Sequence, residues 1–455
     1  MLLDLLARFR RHTSGNLPLL AALLLIPMTL IGGGAIDFMQ HEAIRLTLQD
    51  ALDRGTLAAS SLNQTQESKP LIMSFLKRVP GGDKADLTIT ESRQVNARKV
   101  SADAKVTYSP AFLTLAGIST LDVVASSTAE EARQKIEMSV VLDISGSMYD
   151  NGGMVQLKPA AKNFLDIVLK PELQPVTSVS IIPFAGTVNM GAGVFDYFAA
   201  TQDPKSTTPA VGTRIHSYSS CFDMEASDFA SAALSPFASR RQLQHFTYYN
   251  YNSTGKQPWW CPTEEASISY LSNDITYLKA RVDALRPFDG TGTAFGMKWA
   301  EMLLNPAFQP AIKAIGSGGL APIPTAFQSR PAPFSDKETM KFIVLMTDGQ
   351  IGFQPRPATW ALPLAVTNKN ISGSADNKVL YSQAQAEAFY KQVCTYTKAE
   401  GITVFTIAFK VSAAVAASIA TCASNPSYAY KVDGLDMASA FQSIATTMQR
   451  IRLVD

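Results

Sequence analysis

This sequence contains little cysteine and histidine, the residues that most often bind zinc. Its 455 residues include four cysteines and four histidines. No two cysteines form a C-x-x-C pair, and no histidine shares a zinc-type spacing with a cysteine, which argues against a zinc site. P-loop, G-x-S-x-G and H-E-x-x-H motifs are also missing from the sequence. We therefore expect a binding protein rather than an enzyme.

Charge is scarce and nearly balanced. Asp, Glu, Lys and Arg make up 17% of the chain, and 40 basic residues against 38 acidic ones give a net charge of +2. Without a basic stripe there is no electrostatic footprint for nucleic acid, so we do not expect nucleic-acid binding. An apolar fraction of 46% in a chain of this length predicts a globular protein, too long for one ordinary domain.

A long uncharged segment near the N-terminus predicts a membrane anchor. No charged residue occurs in 13–36, and a helix of that length would be about 36 Å long, enough to cross a hydrocarbon layer about 30 Å thick. Three arginines precede the segment, and Asp37 is the first charged residue after it. The positive-inside bias then predicts a cytoplasmic tail at 1–12, an anchor at 13–38 in a bacterial inner membrane, and the rest of the chain outside.

Two other interpretations of this segment stay open. A cleavable signal peptide would end in small residues, and Gly32 to Ala35 could serve as such a cleavage site, although the apolar run is long for one. A buried core helix would normally show a polar face, and this segment has none. We favour a retained anchor.

The same segment resembles a known family. Residues 14–40, followed by a helical stretch to about residue 60, resemble the N-terminal segment of TadE/TadG-like proteins of the tight-adherence (Flp) pilus system. Gly15-Asn16 before the apolar run and Ala35-Ile36-Asp37 at its end carry the resemblance. The resemblance implies a role in assembling such a pilus.

Cysteine pairing depends on export. Four cysteines in an exported chain predict two disulfides, with three possible pairings, whereas a cytosolic chain would keep four buried thiols. The pairing that joins near neighbours is Cys221–Cys261 with Cys394–Cys422. We take this pairing as the prediction.

Residues 39–133 predict a helix followed by a small β-rich stalk. The stretch 41–63 is helical in pattern, and 85–109 and 119–126 tend to alternate between apolar and polar residues, as short strands do. The segment 128–134 has the composition of a linker. None of these patterns carries chemistry.

From residue 134 the pattern predicts a doubly wound, mostly parallel α/β sheet. Short apolar runs typical of strands buried on both faces alternate with helical segments. The runs are 137–145, 178–185, 341–349 and 402–409, and the helical segments include 157–169, 294–304 and 383–398. Ligands of such sheets bind outside the carboxyl ends of the strands, where Asp143 and Asp348 stand.

The oxygen-bearing residues at these ends suit a hard divalent cation. Asp143, Ser145 and Ser147 alternate in a D-x-S-x-S run, so one loop can direct three oxygens to a common point. Thr291, just before a helical segment, can supply a fourth oxygen and Asp348 a fifth. We expect Mg²⁺, with Mn²⁺ or Ca²⁺ as alternatives. A D-x-S-x-S run alone is also compatible with helix capping and turns.

These motifs closely resemble the metal-ion-dependent adhesion site of von Willebrand factor A domains. The resemblance covers about 134–453 and implies that Asp143, Ser145, Ser147, Thr291 and Asp348 bind the metal. Asp289 stands where the family has a glycine, and Gly292 where asparagine is common; both positions affect the loop backbone and not the donor oxygens. The family core is shorter than this span, which predicts insertions, the largest at about 190–285.

The predicted insertion is rich in aromatic residues. Tyrosines and phenylalanine cluster at 246–251 and two tryptophans at 259–260, which suits either a binding surface or the packing of the insertion onto the core. A metal in this site would attract a carboxylate from a protein partner. The sequence therefore predicts a membrane-anchored binding module of a tight-adherence pilus, with the partner a pilus or secretion component. The alternatives are an adhesin or matrix binder unrelated to pili and, less in keeping with the motifs, a metal-dependent hydrolase.

Overall fold

The structure is a computed structural model that describes residues 16–94, 96–201, 212–233, 237–249, 255–358, 369–373, 375, 377–433 and 437–454. The predicted cytoplasmic tail 1–12, the first residues of the predicted anchor and Tyr251 lie outside the described residues. The chain divides into two compact units, Met1–Arg133 and Gln134–Asp455.

One continuous helix begins the first unit. Helix α1 runs from Asn16 to Ala59, with Pro27 inside it, and the short helix α2 follows at Ser68–Leu76. Among the described residues, α1 is the one helix long and apolar enough to cross a membrane, and little of its apolar window is buried. A core helix of a soluble protein would be mostly buried, so the exposure of this window argues against that interpretation.

The second half of α1 packs on a small antiparallel sheet. Strands β1 (Asp86–Arg93), β2 (Ala97–Tyr108) and β3 (Leu121–Ala132) lie side by side in that order. Residues at every second position of β2 are buried, and they contact Leu48 and Leu52 of α1 in one apolar core. The β-rich stalk is thus present. The predicted linker at 128–134 is wrong for most of its length, because residues to Ala132 pair with β2.

The second unit is built on a six-stranded sheet. Its strands in chain order are β4 (Lys135–Asp143), β5 (Thr177–Phe184), β9 (Ser269–Ser272), β10 (Thr339–Thr347), β14 (Thr403–Phe409) and β15 (Ala429–Val432). Their spatial order is β15-β14-β10-β4-β5-β9, and all neighbours are parallel except β9, which runs antiparallel to β5 at the edge. The predicted doubly wound, mostly parallel fold is confirmed.

Helices cover both faces of this sheet, as the continuous apolar strands require. Val140 and Leu142 of β4 point into one layer, and Val141 between them points into the other. The first layer contains α4 (Gly153–Val168), α7 (Ile275–Ala284) and α12 (Met437–Val454). The second layer contains α8 (Thr293–Met302), α9 (Gln309–Ser317), α10 (Gln383–Ala399) and α11 (Ala413–Ala420). The remaining helix of the core, α3 (Gly146–Asp150), directly follows β4.

The predicted insertion at about 190–285 is only partly an addition to the sheet. Its last part forms edge strand β9 and helix α7, both of which belong to the sheet and its first layer. The part before β9 contains short elements: α5 (Ala192–Phe198), β6 (Ala200–Thr201), β7 (Thr213–Arg214), α6 (Ala226–Phe229) and β8 (Phe246–Thr247). Three further strands, β11 (Gln354–Pro357), β12 (Lys369–Asn370) and β13 (Asn377–Tyr381), follow β10, and β12 pairs with β8.

Both predicted disulfides are present. Cys221 is bonded to Cys261, and Cys394 to Cys422, so all four cysteines of the sequence are paired. The first bridge closes the insertion around a small apolar cluster that contains Trp260. The second joins α10 to the segment that follows α11. Each bridge therefore joins segments that are close in the sequence, 40 and 28 residues apart.

A buried ion pair connects the insertion to helix α8. The Lys298 ammonium and the Glu301 carboxylate lie 3.0 Å apart and are fully buried. The ammonium also donates to the carbonyl oxygens of Ser231 and Ala233 in the insertion, at 3.0 and 2.8 Å.

Replacing this lysine should destabilise the second unit strongly. In Lys298→Met the Glu301 carboxylate stays buried without its cation, which costs about 3–5 kcal/mol of unfolding free energy. The double variant Lys298→Met/Glu301→Leu should recover much of that loss. Lys279→Met, in the exposed pair with Asp166, should cost no more than about 1 kcal/mol. Denaturant unfolding measures all three, and equal effects for the two single variants would contradict the prediction.

Candidate metal centre

Asp143 and Asp348 meet where the sheet changes its winding direction. Asp143 is the last residue of β4, and Asp348 directly follows β10, the strand next to β4. From β4 the chain continues to β5 on one side of the pair, and from β10 it continues to β14 on the other. Diverging connections leave a crevice between the carboxyl ends of two such strands, and ligands of open α/β sheets bind there.

Asp143 is fully buried and held at both carboxylate oxygens. Its Oδ1 accepts from the Ser145 backbone N–H at 2.7 Å, and its Oδ2 accepts a short hydrogen bond from the Thr347 hydroxyl. Thr347 is the last residue of β10, so the parallel pairing of β4 with β10 sets this contact. The carboxylate is therefore fixed in position before any ligand arrives.

A chain of short polar contacts joins the first motif to Asp348. The Ser145 and Ser147 hydroxyl oxygens lie 2.9 Å apart, and the Ser147 hydroxyl donates to Asp348 Oδ1 at 2.6 Å. Asn151 donates its side-chain N–H to Asp348 Oδ2 at 3.0 Å. Sequence analysis missed Asn151, although its place one helical turn after Ser147 puts both side chains on one side of that turn.

Thr291 reaches the same place from the loop before α8. Its carbonyl oxygen accepts from the Gly352 N–H at 2.9 Å, which ties the loop to the segment after β10. A β-carbon built on Gly349 would lie 3.3 Å from the Thr291 hydroxyl and 3.6 Å from Asp143 Oδ2. The fold thus brings all five predicted metal-binding residues together around one crevice.

The electrostatics of the crevice favour a cation. Burial, together with the neighbouring Asp348 carboxylate, raises the pKa of Asp143 to about 7. Burial also raises the pKa of Asp348. In the part of the chain that the structure describes, no Lys or Arg forms an ion pair with either carboxylate. A divalent cation between them would stabilise both ionised forms.

The donor set fits a hard cation rather than a soft one. Two carboxylates and three hydroxyls offer oxygen atoms only, as Mg²⁺ requires. Within the described residues there is no group of three or more His, Cys, Asp or Glu placed to hold a metal. A cation here would therefore depend on the hydroxyls and would keep coordination positions for water or a partner.

Asp289 connects the insertion to the Thr291 loop. Its Oδ2 accepts from the hydroxyl of Thr247 at 3.1 Å and from the N–H groups of Tyr248 and Tyr249 at 2.6 and 3.0 Å. Burial raises its pKa to about 6. In the sequence this aspartate was notable only because it replaces a glycine of the family. In the structure it holds the aromatic segment 247–249 beside the Thr291 loop.

The aromatic run mostly packs the insertion. Phe246 and Trp260 are fully buried around the Cys221–Cys261 bridge, and Tyr248 is half-buried against Phe353. Tyr249 is 49% exposed. Packing therefore accounts for most of the cluster, and Tyr249 remains as a surface residue whose backbone N–H is bound by Asp289.

A side chain at Gly292 would force the Thr291 loop to move. A β-carbon there would lie 2.3 Å from the Gly186 carbonyl oxygen, which belongs to the backbone. Gly292→Ala should therefore displace Thr291 and weaken Mg²⁺ binding by about 10- to 100-fold, the usual effect of disturbing groups that position metal ligands. Gly193→Ala, whose β-carbon would meet its neighbours at 3.5 Å or more, is the matched control. Calorimetric titration that gives equal affinities for the two variants would contradict the prediction.

No protein-family model matches the sequence, and no curated protein matches it significantly. Among solved structures, the vWF domain of the type V pili tip protein Mfa5 from Porphyromonas gingivalis is similar, with 12% identity and a TM-score of 0.37, over 70% of this chain and 96% of that one. The pilus adhesin RrgA from Streptococcus pneumoniae has 10% identity and a TM-score of 0.33, over 80% and 49%. The pilus adhesin SpaC from Lactobacillus rhamnosus GG has 11% identity and a TM-score of 0.34 over 80% of this chain; the chain spans about a third of that adhesin's length, 34%.

Proposed function

We propose that this chain is a membrane-anchored, divalent-metal-dependent protein-binding module for assembly of a tight-adherence pilus. The observation that carries the proposal is the pair of buried carboxylates, Asp143 and Asp348, at the crevice of the sheet. Asp143 accepts from the Ser145 N–H, and the Ser145 and Ser147 hydroxyls lead from there to Asp348. The pilus context comes from the resemblance of the N-terminal segment to TadE/TadG-like proteins, and the metal site from the resemblance of the motifs to von Willebrand factor A domains.

The metal would act as a bridge. Asp143, Ser145, Ser147, Thr291 and Asp348 would hold Mg²⁺, or alternatively Mn²⁺ or Ca²⁺, directly or through water. The ion keeps a strong preference for oxygen ligands, so a carboxylate of a protein partner can take a remaining coordination position. Binding of this partner should then require both the metal and Asp143.

Capture of the partner tests the proposal. The full chain is solubilised in detergent from its cells of origin, without cross-linking, and purified with Mg²⁺ or with chelator, alongside Asp143→Ala. We expect a pilus or secretion component to co-purify in Mg²⁺, and to be lost both in chelator and in the variant. A partner retained equally in all three samples would contradict metal-dependent binding.

A free extracellular adhesin is the second candidate, because an apolar helix near the N-terminus is also what a signal sequence looks like. A phosphatase reporter fused after Asp455 should be active under both candidates, since both place the second unit outside the cytoplasm. Carbonate extraction separates them: the anchored protein stays with membranes, whereas a cleaved adhesin is released. A cytoplasmic reporter signal would contradict both.

The alternative of a metal-dependent hydrolase would need a second metal ion or a general base at the site. A serine-dependent hydrolase is disfavoured by where the structure puts a serine beside a histidine. The Ser219 hydroxyl and His245 Nδ1 lie 3.1 Å apart, but both residues are buried in the insertion. Burial lowers the pKa of His245 to about 3, so its ring stays neutral within a packed aromatic cluster. The pair has no access to substrate, and the proposed activity is binding.

A further inference from the structure

The connection between β2 and β3 is long, uncharged and apolar. We call residues 109–120 the hairpin tip; no Asp, Glu, Lys or Arg occurs between Lys105 and Asp122. Within the tip, Leu115 is 72% exposed and Ile118 is 42% exposed. Exposed leucine and isoleucine in an uncharged loop are typical of a site that contacts a protein or a membrane.

The hairpin lies along helix α1 and points toward its N-terminal, apolar end. The Gln49 side chain donates to the Ser126 carbonyl oxygen at 2.9 Å, and His41 Nε2 lies 3.3 Å from the Asp122 carbonyl oxygen. Between these contacts α1 advances about 12 Å and β3 about 13 Å. Equal advances show that strand and helix run side by side, so the tip continues along α1 beyond His41.

Asp37 fixes the tip to the helix. Its carboxylate is fully buried and accepts the backbone N–H groups of Ala111, Phe112 and Leu113 at 2.9, 2.8 and 2.7 Å. The charge that ends the apolar run of the sequence therefore points into the hairpin. On the outward side, Ile36, Phe38 and Met39 are exposed, so the free surface of α1 stays apolar past Asp37.

The tip extends past Asp37 toward the N-terminal end of α1. The Phe112 ring lies so close to Gly33 that a β-carbon there would be 2.3 Å from it, and Leu113 lies against Gly34. Gly33 is four residues before Asp37, about 6 Å further into the apolar segment. Because glycine has no side chain, Gly33 and Gly34 leave space for the tip beside α1.

Most backbone N–H groups of the tip are hydrogen-bonded within the protein, as an apolar environment requires. Three of its N–H groups are bound by Asp37, and three more bond within the tip, those of Leu115, Gly117 and Ile118, at 3.0–3.1 Å. Pro110 has no N–H group. Irregular backbone enters a lipid layer only when its polar groups are satisfied within the protein, and most donors of this loop meet that condition.

We propose that the hairpin tip enters the membrane beside α1, with Leu115 and Ile118 in contact with lipid acyl chains. The inference rests on the proposed membrane anchoring of α1 but not on the metal site. The position of the tip carries it: Phe112 and Leu113 lie against Gly33 and Gly34, within the apolar and largely exposed segment of α1. Two membrane contacts, one helical and one from the hairpin, would set the height of the first unit on the bilayer.

Spin-label accessibility on the full chain tests the proposal. All native cysteines are in disulfides, so Leu115→Cys supplies a single free thiol for a nitroxide label, and Ile118→Cys supplies a second position. Leu57→Cys is the matched control, because Leu57 is 67% exposed but lies near the far end of α1. Ile31→Cys, within the apolar segment, is the reference for lipid. The probes are oxygen, which concentrates in lipid, and a water-soluble nickel chelate, on chains in phosphatidylcholine–phosphatidylglycerol vesicles.

We expect the labels at 115 and 118 to favour oxygen over the nickel chelate, as at 31, and the label at 57 to show the reverse. Labels at 115 and 118 that match 57 while 31 reports lipid would overturn the hairpin contact and leave the anchor intact. Labels shielded from both probes would mean that a second protein chain covers the tip, which also overturns it. A water-exposed label at 31 would instead contradict the proposed anchoring itself.

Discussion

Asp143→Ala should abolish binding of Mg²⁺ while the sheet stays folded. The variant removes a carboxylate that sits at the end of β4 and is fixed by Ser145 and Thr347. Removing one of the two carboxylates proposed to hold the metal should lower the affinity by more than the roughly 10- to 100-fold loss typical of outer groups. Calorimetric titration of the full chain in detergent measures the affinity, and circular dichroism checks the fold.

The control is Asp166→Ala, which removes an exposed acid from α4 that pairs with Lys279. Its Mg²⁺ affinity should equal that of the parent chain, because the site does not include it. Unchanged binding by Asp143→Ala would contradict the metal assignment. Loss of structure in this variant is not expected, since the removed charge repels Asp348 in the metal-free protein.

The metal-free protein should lose stability as the pH rises from 5 to 8. Asp143 has a pKa of about 7 in the folded chain against an ordinary value of 3.8. Between these values the folded state holds more protons than the unfolded state, so the unfolding free energy falls with rising pH. The stabilising contribution is complete below the unfolded value and is lost as the pH passes about 7. For this one group the loss between pH 5 and 8 is about 3 kcal/mol.

Comparison with Asp143→Asn isolates the effect, because other groups titrate in the same range. Burial raises the pKa of Asp289 to about 6, which gives a slope of the same sign in both proteins. Urea unfolding in chelator should therefore show a steeper decline for the parent chain than for the variant. Saturating Mg²⁺ should remove most of the difference, since the metal binds the ionised form. Parallel pH profiles in chelator would contradict the prediction.

Four strands of the sheet could be recognised in the sequence because buried parallel strands appear as continuous apolar runs. The run that ends in Asp143 and the run that ends in Asp348 both proved to be central strands, and the D-x-S-x-S spacing placed three donors in one turn. The edge strand Ser269–Ser272 was missed, because four residues within an aromatic insertion carry too short a pattern. The last strand of the stalk was predicted too short for a related reason: polar residues at 128–132 look like a linker until their pairing with β2 is seen.

The sequence by itself determined the class of the fold, the segment able to cross a membrane and the five residues proposed to hold the metal, since these depend on local periodicity and short motifs. Only the tertiary structure showed that Thr347 and Asn151 brace the two carboxylates, across 204 and 197 positions of the chain. In the sequence Asp37 is the residue that ends an apolar run. Only the tertiary structure showed that its carboxylate holds the hairpin tip, about 75 positions away. Such contacts join distant segments, and their geometry is fixed by the packing of the sheet and helices, which no local pattern of residues encodes.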